Sequence, residues 1–182
     1  MKRLLSILIG LSVVLHAYTY HRELLQVYGK IAPRMMLLVG EQEAKNKTDY
    51  LLCILYEPGD ENHAQTLREM MVAAYPDGFK GRKFRIETVT FGHCDNCRDA
   101  DLLMLFDTQP QTIRRTVAKA KARGIATMAY SSRFLQEGVL LSLDLGATVR
   151  PYINLQAAKD GKIPVNDVLL RISKIYQKDG GE

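Results

Sequence analysis

Residues 50–56 read Tyr-Leu-Leu-Cys-Ile-Leu-Tyr, seven apolar side chains in a row. A strand with one wet face alternates apolar and polar residues, because successive side chains point to opposite faces. A run with no alternation therefore belongs to a strand covered on both faces, which is the signature of a parallel sheet sandwiched between helices. Two shorter runs, Leu102–Phe106 and Ile125–Ala129, repeat the pattern.

The stretches between these runs carry the helical period. After Pro58-Gly59, either Asp60 or Asn62 is placed to cap a helix whose buried side is Ala64, Leu67, Met70, Met71 and Ala74; Pro76-Asp77-Gly78 stops it. Pro110 opens a second helix that reaches Arg123, with Ile113, Val117 and Ala120 inward and Arg114, Arg115, Lys119, Lys121 and Arg123 outward. Ser131 or Ser132 begins a short helix closed by Gly138. Phe84–Phe91 alternates, as expected of a strand nearer a sheet edge. Gly92–Asp101 reads as a polar loop holding a cysteine pair. Upstream, Leu24, Tyr28, Ile31, Met35 and Leu38 form one apolar stripe within a helix expected over 18–39, which Pro33 should kink or divide near Ala32. Residues 41–49 read as a loop. Downstream, Gly138–Leu145 and Thr148–Ile153 flank Gly146-Ala147 as an antiparallel hairpin at the sheet edge, followed by helical sequence to Tyr176. The expectation is a single α/β domain over 18–182, with its core at 50–176: a mostly parallel sheet, helices on both faces, and an antiparallel edge hairpin near the C-terminus.

Residues 1–17 have the form of an export signal, with Lys2-Arg3, an apolar run from Leu4 to Leu15, and Ala17 at a cleavage point. The run is too short for a comfortable span, which needs about 20 apolar residues. Leu15 is a poor residue for the −3 position, so an uncleaved membrane anchor is the alternative. The formal charge of +5 is partly a property of this leader: without Lys2 and Arg3, 23 basic residues face 20 acidic ones. That surface does not call for nucleic acid.

Export puts Cys53, Cys94 and Cys97 in an oxidising compartment, where one disulfide and one thiol are expected. Haem attachment would need His after Cys97, where Arg98 stands. Zinc would need more than one clustered pair of ligands. Thiol-redox activity at Cys94 and Cys97 would place the pair at the start of a helix, whereas here a strand follows. A structural disulfide is the plainer reading. Cys53–Cys97 would close a loop of about 45 residues and stabilise by roughly 3–4 kcal/mol; Cys94–Cys97 is the rival pairing. No nucleophile elbow, phosphate loop or zinc-protease motif occurs, and His21, His63 and His93 are scattered. Asp107 stands where open α/β sheets bind ligands, at the end of a strand. Neither catalytic residues, nor a metal, nor a cofactor is expected.

The last third carries a resemblance. Arg-Pro-Tyr-Ile-Asn-Leu-Gln-Ala-Ala from Arg150, followed by Leu169-Leu170, resembles the C-terminal signature of the YfiR-like family of periplasmic proteins, as does Ser131–Leu143 before it. Tyr50–Tyr56 is similar to that family's first core strand, with Cys53 where the family often carries a cysteine. The resemblance implies an exported, non-enzymatic regulator that controls a membrane-bound signalling protein through its periplasmic domain, a diguanylate cyclase in the best-known members. A cysteine count of three does not allow a two-disulfide pattern to be carried over. Asn154 would cap the helix from Leu155, or line a partner surface together with Arg150. A homodimer is compatible with this reading. The alternative function is a single-lobe periplasmic solute-binding protein related to ABC-transporter receptors.

Overall fold

A computed structural model describes residues 20–39, 48–79 and 81–177. The expected leader, most of the 41–49 loop and the last five residues lie outside them.

One seven-stranded sheet organises these residues. Its strands are β1 (Asp49–Tyr56), β2 (Lys83–Thr90), β3 (Leu102–Leu105), β4 (Ala126–Ala129), β5 (Leu141–Leu145), β6 (Val149–Ile153) and β7 (Lys174–Ile175). The spatial order is β2-β1-β3-β4-β5-β6-β7, and every pairing is parallel except β5 with β6. The chain thus leaves β1 in one direction to reach β2 and returns on the other side to β3. The gap between the carboxyl ends of β1 and β3 is a topological switch point.

Side-chain alternation sorts the core into two layers. Leu52 and Ile54 face α1 (Arg22–Leu38) and α2 (Glu61–Ala74), whereas Leu51, Cys53 and Leu55 face α3 (Pro110–Ala122) and two 3-10 turns, Phe91–Cys97 and Ser132–Glu137. All six residues from Tyr50 to Leu55 are buried. The sheet is therefore double-sided, as the unbroken apolar run requires. β2 is an edge strand, and Lys83, Arg85 and Glu87 on it are the charged residues that discourage edge-to-edge pairing.

Five local expectations are corrected. Of the two outcomes expected at Pro33, a kink or a division, the division does not occur; the helix runs to Leu38 with Pro33 buried inside it. An interior proline costs about 3 kcal/mol, and a buried face comprising Leu25, Tyr28, Ala32, Met35 and Met36 offsets that cost. Gly29 lies on the same face, where a Cβ would come within 3.0 Å of Met70 Cβ, so its missing side chain lets α1 and α2 approach closely. This helix also starts at Arg22, leaving Tyr20 outside it. In α2, Ala74 is exposed rather than buried. The cysteine segment is a 3-10 turn rather than a loop.

Finally, the C-terminal helical sequence is two short helices, α4 (Leu155–Asp160) and α5 (Asp167–Ile172), separated by Gly161 and Pro164, and it ends in β7. β7 adds two residues outside the hairpin, so β6 is paired on both sides.

Candidate functional site

Three places gather the residues with chemical potential. The first is the cysteine turn. Cys53, at the centre of β1, is bonded to Cys97, the last residue of the first 3-10 turn. The bridge ties that turn to β1 on the α3 side of the sheet. Cys94 is a buried thiol with no disulfide partner, and Lys119 Nζ lies 3.7 Å from its Sγ. Lys119 and Arg123 both hold Asp95, at 2.7 and 3.0 Å. The hydrogen bond from Lys119 and then that from Arg123 keep the Asp95 carboxyl below its ordinary range, and Asp95 in turn raises Lys119. Beside them is a hollow of about 340 Å³ whose lining includes Glu57, Phe91, Thr112 and Arg115. Because Cys97 is committed to Cys53, the two CxxC cysteines do not form a dithiol couple with each other.

The second place is the C-terminal segment. Asn154 is buried and works in two directions: its Oδ1 accepts from the Ala157 N–H at 3.0 Å, and its Nδ2 donates to the Leu135 carbonyl at 2.8 Å. It therefore caps α4 and fastens that helix to the second 3-10 turn. Arg150 is exposed on β6, with Asp144 of β5 4.0 Å away. Arg150 and Asn154 do not converge: one faces solvent and the other the interior. At the far end of the hairpin Leu145 and Val149 form a register pair, and both are exposed, at 51% and 45%. Val168 and Ile172, one turn apart on α5, are exposed as well.

The third place is the switch point itself, and most of it was not visible in the sequence. β3 is followed by Phe106 and Asp107, β4 by Tyr130, and β1 leads to Asp60 at the start of α2. Tyr20 lies among them, 7% exposed. Its ring stacks on Phe106 with centroids 4.5 Å apart, meets Tyr130 edge-on at 4.9 Å, and lies 5.0 Å from the His63 ring. Its hydroxyl accepts from the Asp107 N–H at 3.0 Å and donates to Asp60 Oδ2 at 3.3 Å. Tyr130 is fixed by α1: the Tyr28 hydroxyl donates to the Tyr130 carbonyl at 2.7 Å, and the His21 N–H donates to the Tyr130 hydroxyl at 3.3 Å. Asp60 stands at the N-cap of α2, but its side chain makes no cap hydrogen bond.

Burial governs the electrostatics here. Desolvation raises Asp107, with Asp60 adding to the rise and Arg133, 3.5 Å away, opposing it. Desolvation also raises Asp60, while the Tyr20 hydrogen bond and His63 pull it down. The phenols of Tyr20 and Tyr28 are pushed above their ordinary value, chiefly by burial. Asp107 Oδ1 and His63 Nδ1 are buried atoms without a hydrogen-bond partner among the described residues. Glu57 accepts a hydrogen bond from the Thr108 hydroxyl. Among the described residues no group of three His, Cys, Asp or Glu is placed to hold a metal ion. From the sequence, Asp107 was marked as a ligand position, Asp60 only as a helix cap and His63 only as a scattered histidine. Tyr20 carried no signal, because its partners lie 40 or more positions away.

With this geometry established, comparison with known proteins decides the family. A family model, DUF4154, YfiR/HmsC-like, matches residues 40–174. The chain belongs to the YfiR/HmsC-like family. A search of curated proteins found no match. Among solved structures, a conserved domain protein from Vibrio cholerae is similar, with a TM-score of 0.55, 14% identity, 83% of this chain covered and 59% of that one. An ABC domain from Streptococcus pneumonia in complex with L-Trp gives 0.53, 13%, 79% and 59%. The YfiR/HmsC-like chain thus spans about three fifths of each of these proteins, and at such identities the likeness concerns the fold. No helix among the described residues is long and apolar enough to cross a membrane.

Proposed function

We propose that this YfiR/HmsC-like protein is an exported, non-enzymatic regulator that acts in the periplasm by direct contact with the periplasmic domain of a membrane-bound signalling protein, of which a diguanylate cyclase is the expected kind. The observation that carries this reading is the family match over residues 40–174. Support comes from the surface of the last third, where the exposed Leu145–Val149 pair at the hairpin tip lies next to Arg150. Exposed apolar side chains beside a cation are the ordinary composition of a protein–protein contact. The test is affinity capture of the tagged exported chain from solubilised membranes, together with cellular cyclic-di-GMP after deletion of its gene. Recovery of a cyclase and a rise in the dinucleotide are expected. Unchanged dinucleotide would refute the cyclase as target, and capture of no membrane protein would refute the regulator reading.

A solute-binding role is the second reading, favoured by the convergence of polar and aromatic side chains at the switch point, where Tyr20 meets Asp60, Phe106 and Tyr130. It predicts that a transported small molecule raises the melting temperature, by an amount equivalent to about 2.7 kcal/mol at a hundred times its dissociation constant.

A further inference from the structure

We propose that the switch-point crevice is a binding site for a hydroxylated aromatic ring of the catechol type, and that Tyr20 is a tethered plug occupying it. Open α/β sheets bind ligands outside the carboxyl ends of the strands where the order reverses, and in this chain that place lies between β1 and β3. Tyr20 occupies it as a ligand would. Phe106 and Tyr130 bind its ring by a face and an edge. A main-chain donor, the Asp107 N–H, and a carboxylate acceptor, Asp60, take up both hydrogen-bonding directions of its hydroxyl.

Tyr20 is also built to leave. It precedes α1, which starts at Arg22, and the next residue, His21, is exposed. Among the described residues, the hydrogen bonds that hold it are those of its side chain. The crevice wall does not depend on it, because Tyr28 anchors Tyr130 independently through the Tyr130 carbonyl.

The ligand class follows from what the plug leaves undone. A phenol carries one hydroxyl, and Oδ1 of Asp107, the residue whose N–H that hydroxyl accepts from, is buried with no hydrogen-bond partner among the described residues. A ring with a second, adjacent hydroxyl supplies the missing donor while keeping the contacts of the first. Stacking on Phe106 favours a planar ring over an aliphatic diol. A catechol binding here would displace residue 20 and free the start of α1, so the site couples ligand to the N-terminal segment. This is independent of which membrane protein, if any, the chain contacts.

The experiment uses the oxidised exported chain. Catechol, p-cresol and toluene are titrated into wild type and Tyr20→Ala by calorimetry, with circular dichroism reporting the fold. Catechol is expected to bind Tyr20→Ala about tenfold more tightly than wild type, and about tenfold more tightly than toluene, the worth of one or two buried hydrogen bonds. Folded Tyr20→Ala that takes up no catechol, that binds it no better than toluene, or that binds it no better than wild type does, overturns the proposal. If Tyr20→Ala does not fold, amide exchange of wild type decides. Millimolar catechol should speed exchange at residues 21–25, and unchanged or slower exchange there overturns the proposal.

Discussion

Replacing Cys53 and Cys97 together by alanine removes a bridge across a sequence separation of 44. The closed loop therefore has about 45 residues, and the chain-entropy relation gives about 13 cal/mol/K for opening it, or about 4 kcal/mol at 25 °C. Cys53 is fully buried and Cys97 nearly so, and losing two sulfurs from packed positions adds about 1 kcal/mol or less. The change is best made in a Cys94→Ala background, so that the third thiol takes no part in exchange. Urea unfolding followed by circular dichroism should show the midpoint falling by about 2 M, taking a slope of about 2 kcal/mol/M. Reduced protein that keeps Cys53 and Cys97 should unfold close to the double variant, since both lack the constraint. A midpoint shift under about 0.5 M, or reduced and oxidised protein of equal stability, would refute the argument that this loop is held by the bridge.

Further expectations rest on single side chains. Asn154→Ala loses the α4 cap and leaves the Leu135 carbonyl without its donor, a cost of about 2–3 kcal/mol by denaturant titration. Arg150→Glu, at an exposed position, should change stability by less than about 0.5 kcal/mol yet weaken capture of the membrane partner; undiminished capture would remove Arg150 from that surface. Gly78→Ala should be severely destabilising, because φ is +73° and a Cβ would fall 2.0 Å from the Arg82 carbonyl oxygen; a melting temperature within a degree of wild type would contradict the turn geometry. Asp107 has a raised pKa in the folded chain, from burial first. Its contribution to stability is thus fully present below the ordinary carboxylate value and is lost as pH rises through the raised one. Asp107→Asn cannot ionise, so its melting temperature should fall less than that of wild type between pH 4 and 7. Superimposable pH profiles would contradict this.

Much of the fold was legible because the signals that specify it are local. An apolar run such as Tyr50–Tyr56 has one stable environment, between two helical layers, and the helical period on either side supplies those layers. The helix that Pro110 opens, the cap position of Asn154 and the hairpin about Gly146-Ala147 are likewise written within a few residues of where they act. Pro33 does not divide the helix because the proline penalty is local, whereas the buried face that outweighs it belongs to the whole of α1. The C-terminal segment was harder still: Gly161 and Pro164 break the helical run, and the two residues of β7 become a strand only because β6 is there to pair with them.

The candidate site divides along the same line. Composition and spacing were enough to place three cysteines in an α/β chain and to offer two pairings. Which pairing forms was decided by the sheet, which sets Cys53 on the same face as the turn that carries Cys97. Asp107 could be marked from the end of its strand, but the aromatic residue occupying the crevice beside it could not. Tyr20 meets Asp60 and Asp107 across 40 and 87 residues. Contacts of that span leave no period in the sequence, because they exist only once β1, β3 and β4 have brought their carboxyl ends to one edge of the sheet.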